Sequence, residues 1–310
     1  MNTGIAVIGE SLVDVVDGRP HVGGSPLNVA VGLARLGLPT TLHTRIGDDD
    51  HGRLIVERLR ASGVRTAPGT VDGGRTSTAV ATLDEHGQAD YEFDLDWSIA
   101  APETGPVRVV HTGSIGAIRE PGGTVARAAV RAAGPTVLRS FDPNIRPAVM
   151  GSPAEVVARV RALAADCHVV KLSDDDAAWL GAAADAAADG GAETARSADD
   201  VLREIAAAGV PFAVMTRGAD GCTALVGGVR HDVPGRRVEV ADTIGAGDAF
   251  MAGLLYALIA GEHDRRLVDG TPLSSAQVRQ VLETAVAVAS ITVSRPGADP
   301  PTSAELAAPR

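Results

Sequence analysis

Asp242-Thr243-Ile244-Gly245-Ala246-Gly247-Asp248-Ala249-Phe250 sets two glycines and a carboxylate at the mouth of an apolar run. The run carries Ala249, Phe250, Ala252, Leu254, Leu255, Leu258 and Ile259 at helical spacing and ends near Gly261, which predicts a buried helix. A Gly-Ala-Gly turn lets the amides of the first helical turn point outward at one place. Those amides have no acceptor inside the helix, and the helix dipole adds partial positive charge there. Gly245, Ala246 and Gly247 therefore read as an anion hole sized for a phosphoryl group. A carboxylate beside such a hole repels a phosphate unless it has a task. For Asp248 that task is to accept the proton of a hydroxyl attacking the phosphate. The plainer alternative is an acidic helix cap.

Composition narrows the setting. The 310 residues suffice for one large α/β domain or two small ones. Hydrophobic residues make up 45% and aromatics only 3%, so the core is built from Ala, Val, Leu and Ile. A formal charge of −11 argues against nucleic acid and anionic membrane surfaces as partners, while leaving room for a nucleotide. No signal peptide or transmembrane stretch is read, and Cys167 and Cys222 lack metal-ligand spacing, so a cytoplasmic protein with reduced thiols is expected. Lys171 is the only lysine. No Gly-x-x-x-x-Gly-Lys loop surrounds it, so any nucleotide is held without a P-loop lysine.

Short apolar runs at residues 5–9, 107–111, 136–141, 167–171 and 212–216 alternate with Ala-rich helical stretches at 125–133, 154–165 and 201–208. This alternation predicts a parallel sheet covered on both faces. Residues 72–98 break the rhythm: 76–83 and 89–95 alternate in polarity about a turn at 84–87, which reads as a β-hairpin. A further strand pair is expected within 11–22. Residues 181–200, rich in Ala, Gly and Asp, read as a surface connection with weak helix, and the tail from Thr302 to Arg310 as a surface or frayed end.

Residues 23–37 read Gly23-Gly24-Ser25-Pro26-Leu27-Asn28-Val29-Ala30-Val31-Gly32-Leu33-Ala34-Arg35-Leu36-Gly37. The two glycines allow backbone to approach a ligand closely, and Asn28 offers both donor and acceptor. In this order, the two stretches resemble the paired signatures of the ribokinase-like (PfkB) carbohydrate kinase family. The second signature, Asp-Thr-x-Gly-Ala-Gly-Asp-x-Phe, is matched at every fixed position. The resemblance covers nearly the whole chain. It implies a ribokinase-like three-layer α/β/α sandwich with a central, mostly parallel sheet. It also implies a single kinase domain over 1–310 and a small β-sheet lid from about 11–22 and 72–98, which in relatives often makes a homodimer contact. The implied reaction is transfer of the γ-phosphate of ATP, with Mg²⁺, to a sugar hydroxyl.

The resemblance places further residues. Asp14, after the first strand, joins Gly24 and Asn28 in sugar binding; a strand-end carboxylate suits vicinal hydroxyls. Asp142-Pro143-Asn144-Ile145-Arg146-Pro147 is similar to a stretch of fructokinases and 2-keto-3-deoxygluconate kinases, and its prolines hold Arg146 for phosphate or carboxylate oxygens. Relatives carry Asn-x-x-Glu where this chain has Ser173 and Asp176. Both keep oxygen chemistry for Mg²⁺, the shorter Asp176 acting through water. Thr216, Gly218 and Gly221 match a nucleotide loop. Asp242 and the loop Arg295-Pro296-Gly297-Ala298 correspond to a site for K⁺ or Na⁺. Pro26, the 142–147 stretch and Gly297-Ala298-Asp299-Pro300-Pro301 look most like fructokinase, which makes fructose to fructose 6-phosphate the leading reading. A 2-keto-3-deoxygluconate kinase follows, since Arg146 suits a carboxylate, then a ribokinase-type enzyme. A non-catalytic sugar-binding protein is the alternative of another class, opposed by the intact Gly245, Gly247 and Asp248.

Overall fold

The strand Ile5–Ile8 is buried at every residue, as a strand covered on both faces must be. In the computed structural model, which describes residues 4–83, 89–187 and 196–308, it lies inside a nine-stranded sheet. From edge to edge the strands are Val229–Val233, Cys222–Val226, Phe212–Thr216, Val169–Ser173, Leu138–Asp142, Val109–Gly113, Ile5–Ile8, Thr40–His43 and Arg65–Thr66. Neighbours are parallel from Phe212–Thr216 onward, and the first two strands turn back antiparallel.

Three strands begin and end two residues or so later than their apolar runs suggest. Each ladder carries polar residues at its carboxyl end: Gly113 pairs with Asp142, and Ser173 with Thr216. Backbone pairing is indifferent to side-chain polarity, so the strands carry Asp142, Lys171 and Ser173 out to the sheet's functional edge.

One face is covered by helices Gly122–Ala132, Pro153–Ala165, Asp174–Ala187 and Ala198–Ala207, which share a core with Phe141, Val170 and Met215. The other face carries helices Ser25–Arg35, Asp50–Ala61, Ala246–Ala260 and Ser275–Val293. The three-layer expectation holds. The surface connection expected over 181–200 does not hold at its start: residues 181–187 continue the helix opened at Asp174, because Gly181 and Ala184 are buried on it. Ser197 then caps the next helix, and 188–195 lie outside the described residues. The tail is pinned rather than frayed over Ser303–Ala307, where Thr302 and Glu305 form a capping box and Arg295 reaches Glu305 at 2.5 Å.

The second sheet has four strands, Arg19–Gly23, Leu12–Val16, Thr78–Leu83 and Ala89–Asp94. Leu12–Val16 pairs antiparallel with Arg19–Gly23 and parallel with Thr78–Leu83, which pairs antiparallel with Ala89–Asp94. The two pieces read from the sequence as a lid thus form one sheet; the turn expected at 84–87 lies outside the described residues. Trp97 pins the exit from this sheet, its indole Nε1 donating to the Gly116 carbonyl at 2.9 Å.

Helix Ala246–Ala260 is apolar on all sides and buried from Asp248 through Leu255, the pattern of a helix enclosed by others. Its neighbours approach closely through small residues. A Cβ on Gly32 would stand 2.6 Å from the Ala252 Cβ, and one on Gly253 would stand 2.9 Å from the Val288 Cβ. Gly32→Ala should therefore destabilise the protein by about 1–3 kcal/mol, the usual cost of overpacking, despite a helix-propensity gain of about 1 kcal/mol. Urea unfolding checks this; unchanged or increased stability would show that the two helices can move apart freely.

Candidate active site

Gly245 takes a left-handed conformation, φ 72°, and turns the chain into helix Ala246–Ala260. This backbone strongly favours glycine, and a Cβ there would meet Ala298 at 2.6 Å. The Ala246 amide closes the turn by donating to Thr243 O at 3.2 Å, and the helix's own bonds begin with Ala249 donating to Gly245 O at 2.8 Å. The first-turn amides of Gly247 and Asp248 have no acceptor within the helix. Of the three expected hole residues, Ala246 is thus engaged in the turn, at a weak distance.

Asp248 is buried in that first turn and is held by side chains from the other signature helix. Ser25 Oγ donates to its Oδ1 at 2.6 Å and Asn28 Nδ2 to its Oδ2 at 2.9 Å. The Oδ1 of Asn28 is buried without a partner and is available to a ligand hydroxyl. Gly24, at φ 107°, starts the helix bearing both residues and packs on Glu10, whose carbonyl oxygen would lie 2.7 Å from an added Cβ. Asp14 lies opposite His21 in the lid sheet and leans over Gly23, where a Cβ would meet its Oδ2 at 2.5 Å. Burial raises the Asp14 carboxyl above its ordinary range, with His21 and Arg146 drawing it down.

A cavity of about 990 Å³ opens on the other side of the turn. Ala246, Gly247, Thr216, Gly218, Gly221, Ser173, Asp176 and Arg146 all line it. The arginine is exposed, its Nη1 donates to Ile145 O at 2.9 Å, and its charge is felt by Asp14, so it stands between the cavity and the lid side. Asp176 is turned inward: its Oδ1 accepts from the Ile145 amide at 2.7 Å and its Oδ2 from the Ser173 amide at 2.9 Å. Ser173 Oγ accepts from the Asp176 amide in return. Asp242 spans two loops, accepting from the Ile244 amide at 2.9 Å and the Gly297 amide at 2.8 Å; these bonds hold its carboxyl below the ordinary range.

Three groups at this centre escape sequence reasoning. Lys171 Nζ donates to Asp142 Oδ2 at 2.9 Å with both side chains buried, and lies 2.9 Å from where a Gly247 Cβ would be. The only lysine of the sequence thus sits against the first turn of helix Ala246–Ala260. Burial disfavours its charge, but Asp142, Asp176 and Asp248 outweigh this and raise its pKa. Burial pushes Asp142 up to about 6 although Lys171 pulls it down, so the pair is ionised at neutral pH. A lone lysine ending a buried apolar strand was the available signal, since such a charge requires a nearby carboxylate. Ser25 carries no local signal of its role, since its partner Asp248 lies 223 positions away. Glu10, only 4% exposed, accepts from the Gly116 amide at 2.7 Å beside the strained Ser114, φ 52°; burial pushes it up to about 7.

The family model for the pfkB family carbohydrate kinases matches residues 4–305. The chain is 33% identical over 280 residues to a fructokinase of Klebsiella pneumoniae, covering 84% of this chain and 86% of the relative. It is 32% identical over 271 residues to a fructokinase of Rhizobium leguminosarum bv. trifolii, covering 82% and 79%. Among solved structures it resembles a double mutant of the fructokinase from Vibrio cholerae O395 bound to fructose, ADP and potassium ion. That likeness has a TM-score of 0.76 and 26% identity, and covers 96% of this chain and 94% of the other. No helix among the described residues is long and apolar enough to cross a membrane.

Glu10 supplies a pH test of this geometry. Its carboxyl rises from 4.5 to about 7 on folding, so between those values the folded state binds more protons than the unfolded chain. Stability from this group therefore falls as pH rises through the window. Glu10→Gln removes the fall, and its stability relative to wild type should climb by up to about 3 kcal/mol between about pH 5 and pH 8. Denaturant unfolding at both pH values measures it; a pH-independent difference would contradict a carboxyl whose burial outweighs the hydrogen bonds it accepts.

Proposed function

The chain belongs to the pfkB family of carbohydrate kinases, and on that premise we propose that it transfers the γ-phosphate of ATP to fructose, giving fructose 6-phosphate. The observation carrying this reading is the Asp248 carboxylate, held by Ser25 and Asn28 at the first turn of a helix whose free amides open towards a large cavity. Fructose lies on the lid side, where Asp14 accepts from sugar hydroxyls and Asn28 Oδ1 from another. The nucleotide occupies the cavity beside Thr216, Gly218 and Gly221, with its γ-phosphate at the amides of Gly247 and its neighbours and beside Lys171.

Asp248 takes the proton of the attacking hydroxyl. In a loose transition state that transfer can come late, so a weak base suffices. The first-turn amides and the Lys171 ammonium stabilise charge on the equatorial phosphoryl oxygens. Arg146 screens the phosphates from Asp14.

The oxygen donors present suit a hydrated Mg²⁺ carried on the nucleotide phosphates. Ser173, Asp174 and Asp175 line the cavity, and no cluster able to cage a metal exists among the described residues. Such an ion neutralises phosphate charge when bound. Asp176, with both oxygens engaged, supports the 145 loop and reaches the ion only through water. Asp242 joins the 242–245 and 295–298 loops and has lone pairs left for K⁺ or Na⁺. We place the protein in the cytoplasm and assign its lid sheet the homodimer contact.

ADP release from the purified protein with Mg·ATP should be strongest with fructose in a panel including ribose, 2-keto-3-deoxygluconate, tagatose and adenosine. Asp248→Asn should keep sugar binding and lose kcat by at least about 100-fold. Turnover only with an acid sugar would move the reading to 2-keto-3-deoxygluconate, and near-normal turnover of Asp248→Asn would remove the base.

Lys171 requires a paired design. Lys171→Met alone leaves Asp142 buried and uncompensated, at a stability cost of about 3–5 kcal/mol. Adding Asp142→Asn should recover much of that stability, while kcat stays about 100- to 1000-fold down. Recovery of both would make the pair structural only.

A further inference from the structure

Ser25 opens helix Ser25–Arg35, yet its hydroxyl does not cap that helix; the position before it is Gly24, and no side-chain cap bond is made. The hydroxyl instead crosses to Asp248, 223 positions away, and donates to Oδ1 at 2.6 Å. Asn28, three residues on and on the same helix face, holds Oδ2. Ser25, Asn28 and Asp248 are 7%, 9% and 8% exposed, so these bonds are largely shielded from water.

The two donors act differently. Asn28 has a second, unpartnered buried atom to offer a ligand, whereas among the described residues the Ser25 hydroxyl bonds only to the carboxylate. A carboxylate turns readily about its last torsion, which is broad and two-fold. One donor on each oxygen fixes its plane and still leaves each oxygen a lone pair for the attacking hydroxyl. Glu10, Asp142 and Lys171 also act on Asp248 electrostatically, and none of them donates a hydrogen bond to it that would set this plane.

We propose that Ser25 is a positioning residue for phosphoryl transfer: its hydroxyl holds Asp248 in the orientation in which it receives the proton. This rests on the kinase reading above. Ser25→Ala should lower kcat about 10- to 100-fold, the scale of losing near-attack geometry, with sugar affinity by calorimetry and Tm close to wild type. Ser25→Thr, which keeps the hydroxyl, should recover most of kcat. In an Asp248→Asn background Ser25→Ala should cost nothing further, since the residue acts through the base.

The inference is overturned if Ser25→Ala turns over within twofold of wild type, or if the two losses multiply independently. It is equally overturned if weaker sugar binding or a lower Tm accounts for the loss. Should wild type prefer another sugar, the series runs on that sugar, and only the fructose assignment falls. Should wild type turn over none, the kinase reading falls, and crystal structures decide the clamp. An Asp248 carboxylate unmoved in Ser25→Ala refutes the clamp, and one that has rotated supports it.

Discussion

The site depends on the enclosure of one helix. Ala246–Ala260 has no polar face, so it folds only where other helices cover it on every side. Ser25–Arg35 and Ser275–Val293 provide that cover, and glycines at 32 and 253 set how closely they approach. The enclosing helix on one side is also the one carrying Ser25 and Asn28. Packing that serves the core therefore brings Asp248 together with Ser25 and Asn28, although more than two hundred residues separate them in the chain.

Charge is arranged around that enclosure with little redundancy. Glu10, Asp142, Asp176 and Asp248 are buried close together, and the only lysine is buried with them. Each carboxylate has assigned donors: a backbone amide for Glu10, an ammonium for Asp142, two amides for Asp176, and a hydroxyl and an amide side chain for Asp248. A buried acid without such donors would take up a proton. At Glu10 burial outweighs the hydrogen bonds it accepts and pushes the carboxyl up to about 7. A pocket this acidic needs Lys171 and Arg146 if it is to receive a polyanionic nucleotide.

The turn at Gly245 divides the site in two. Thr216, Gly218 and Gly221 line the cavity on one side of it, and Asp14, Gly24 and Asn28 do not. Because lid strands leave the main sheet directly after Ile5–Ile8 and return through Trp97, the lid is rooted next to Glu10 and Gly116.

Sequence alone determined whatever is written in periodicity and short-range motif. The alternating strands and helices, the two strand pairs of the smaller sheet, the Gly-Ala-Gly turn and the position of Asp248 beside it depend on residues close together in the chain. The misplaced strand ends and the helix over 181–187 show the limit of that legibility, since ladder bonds and burial, rather than local polarity, set where an element stops. Tertiary structure alone decided the partners. Nothing near Lys171 in sequence points to Gly247, and nothing near Ser25 points to Asp248. Nor does local sequence reveal that the Ile145 amide takes the Asp176 oxygen left over from the local Ser173 contact. These are contacts across the sheet's edge and between enclosed helices, and only folding brings such groups within bonding distance.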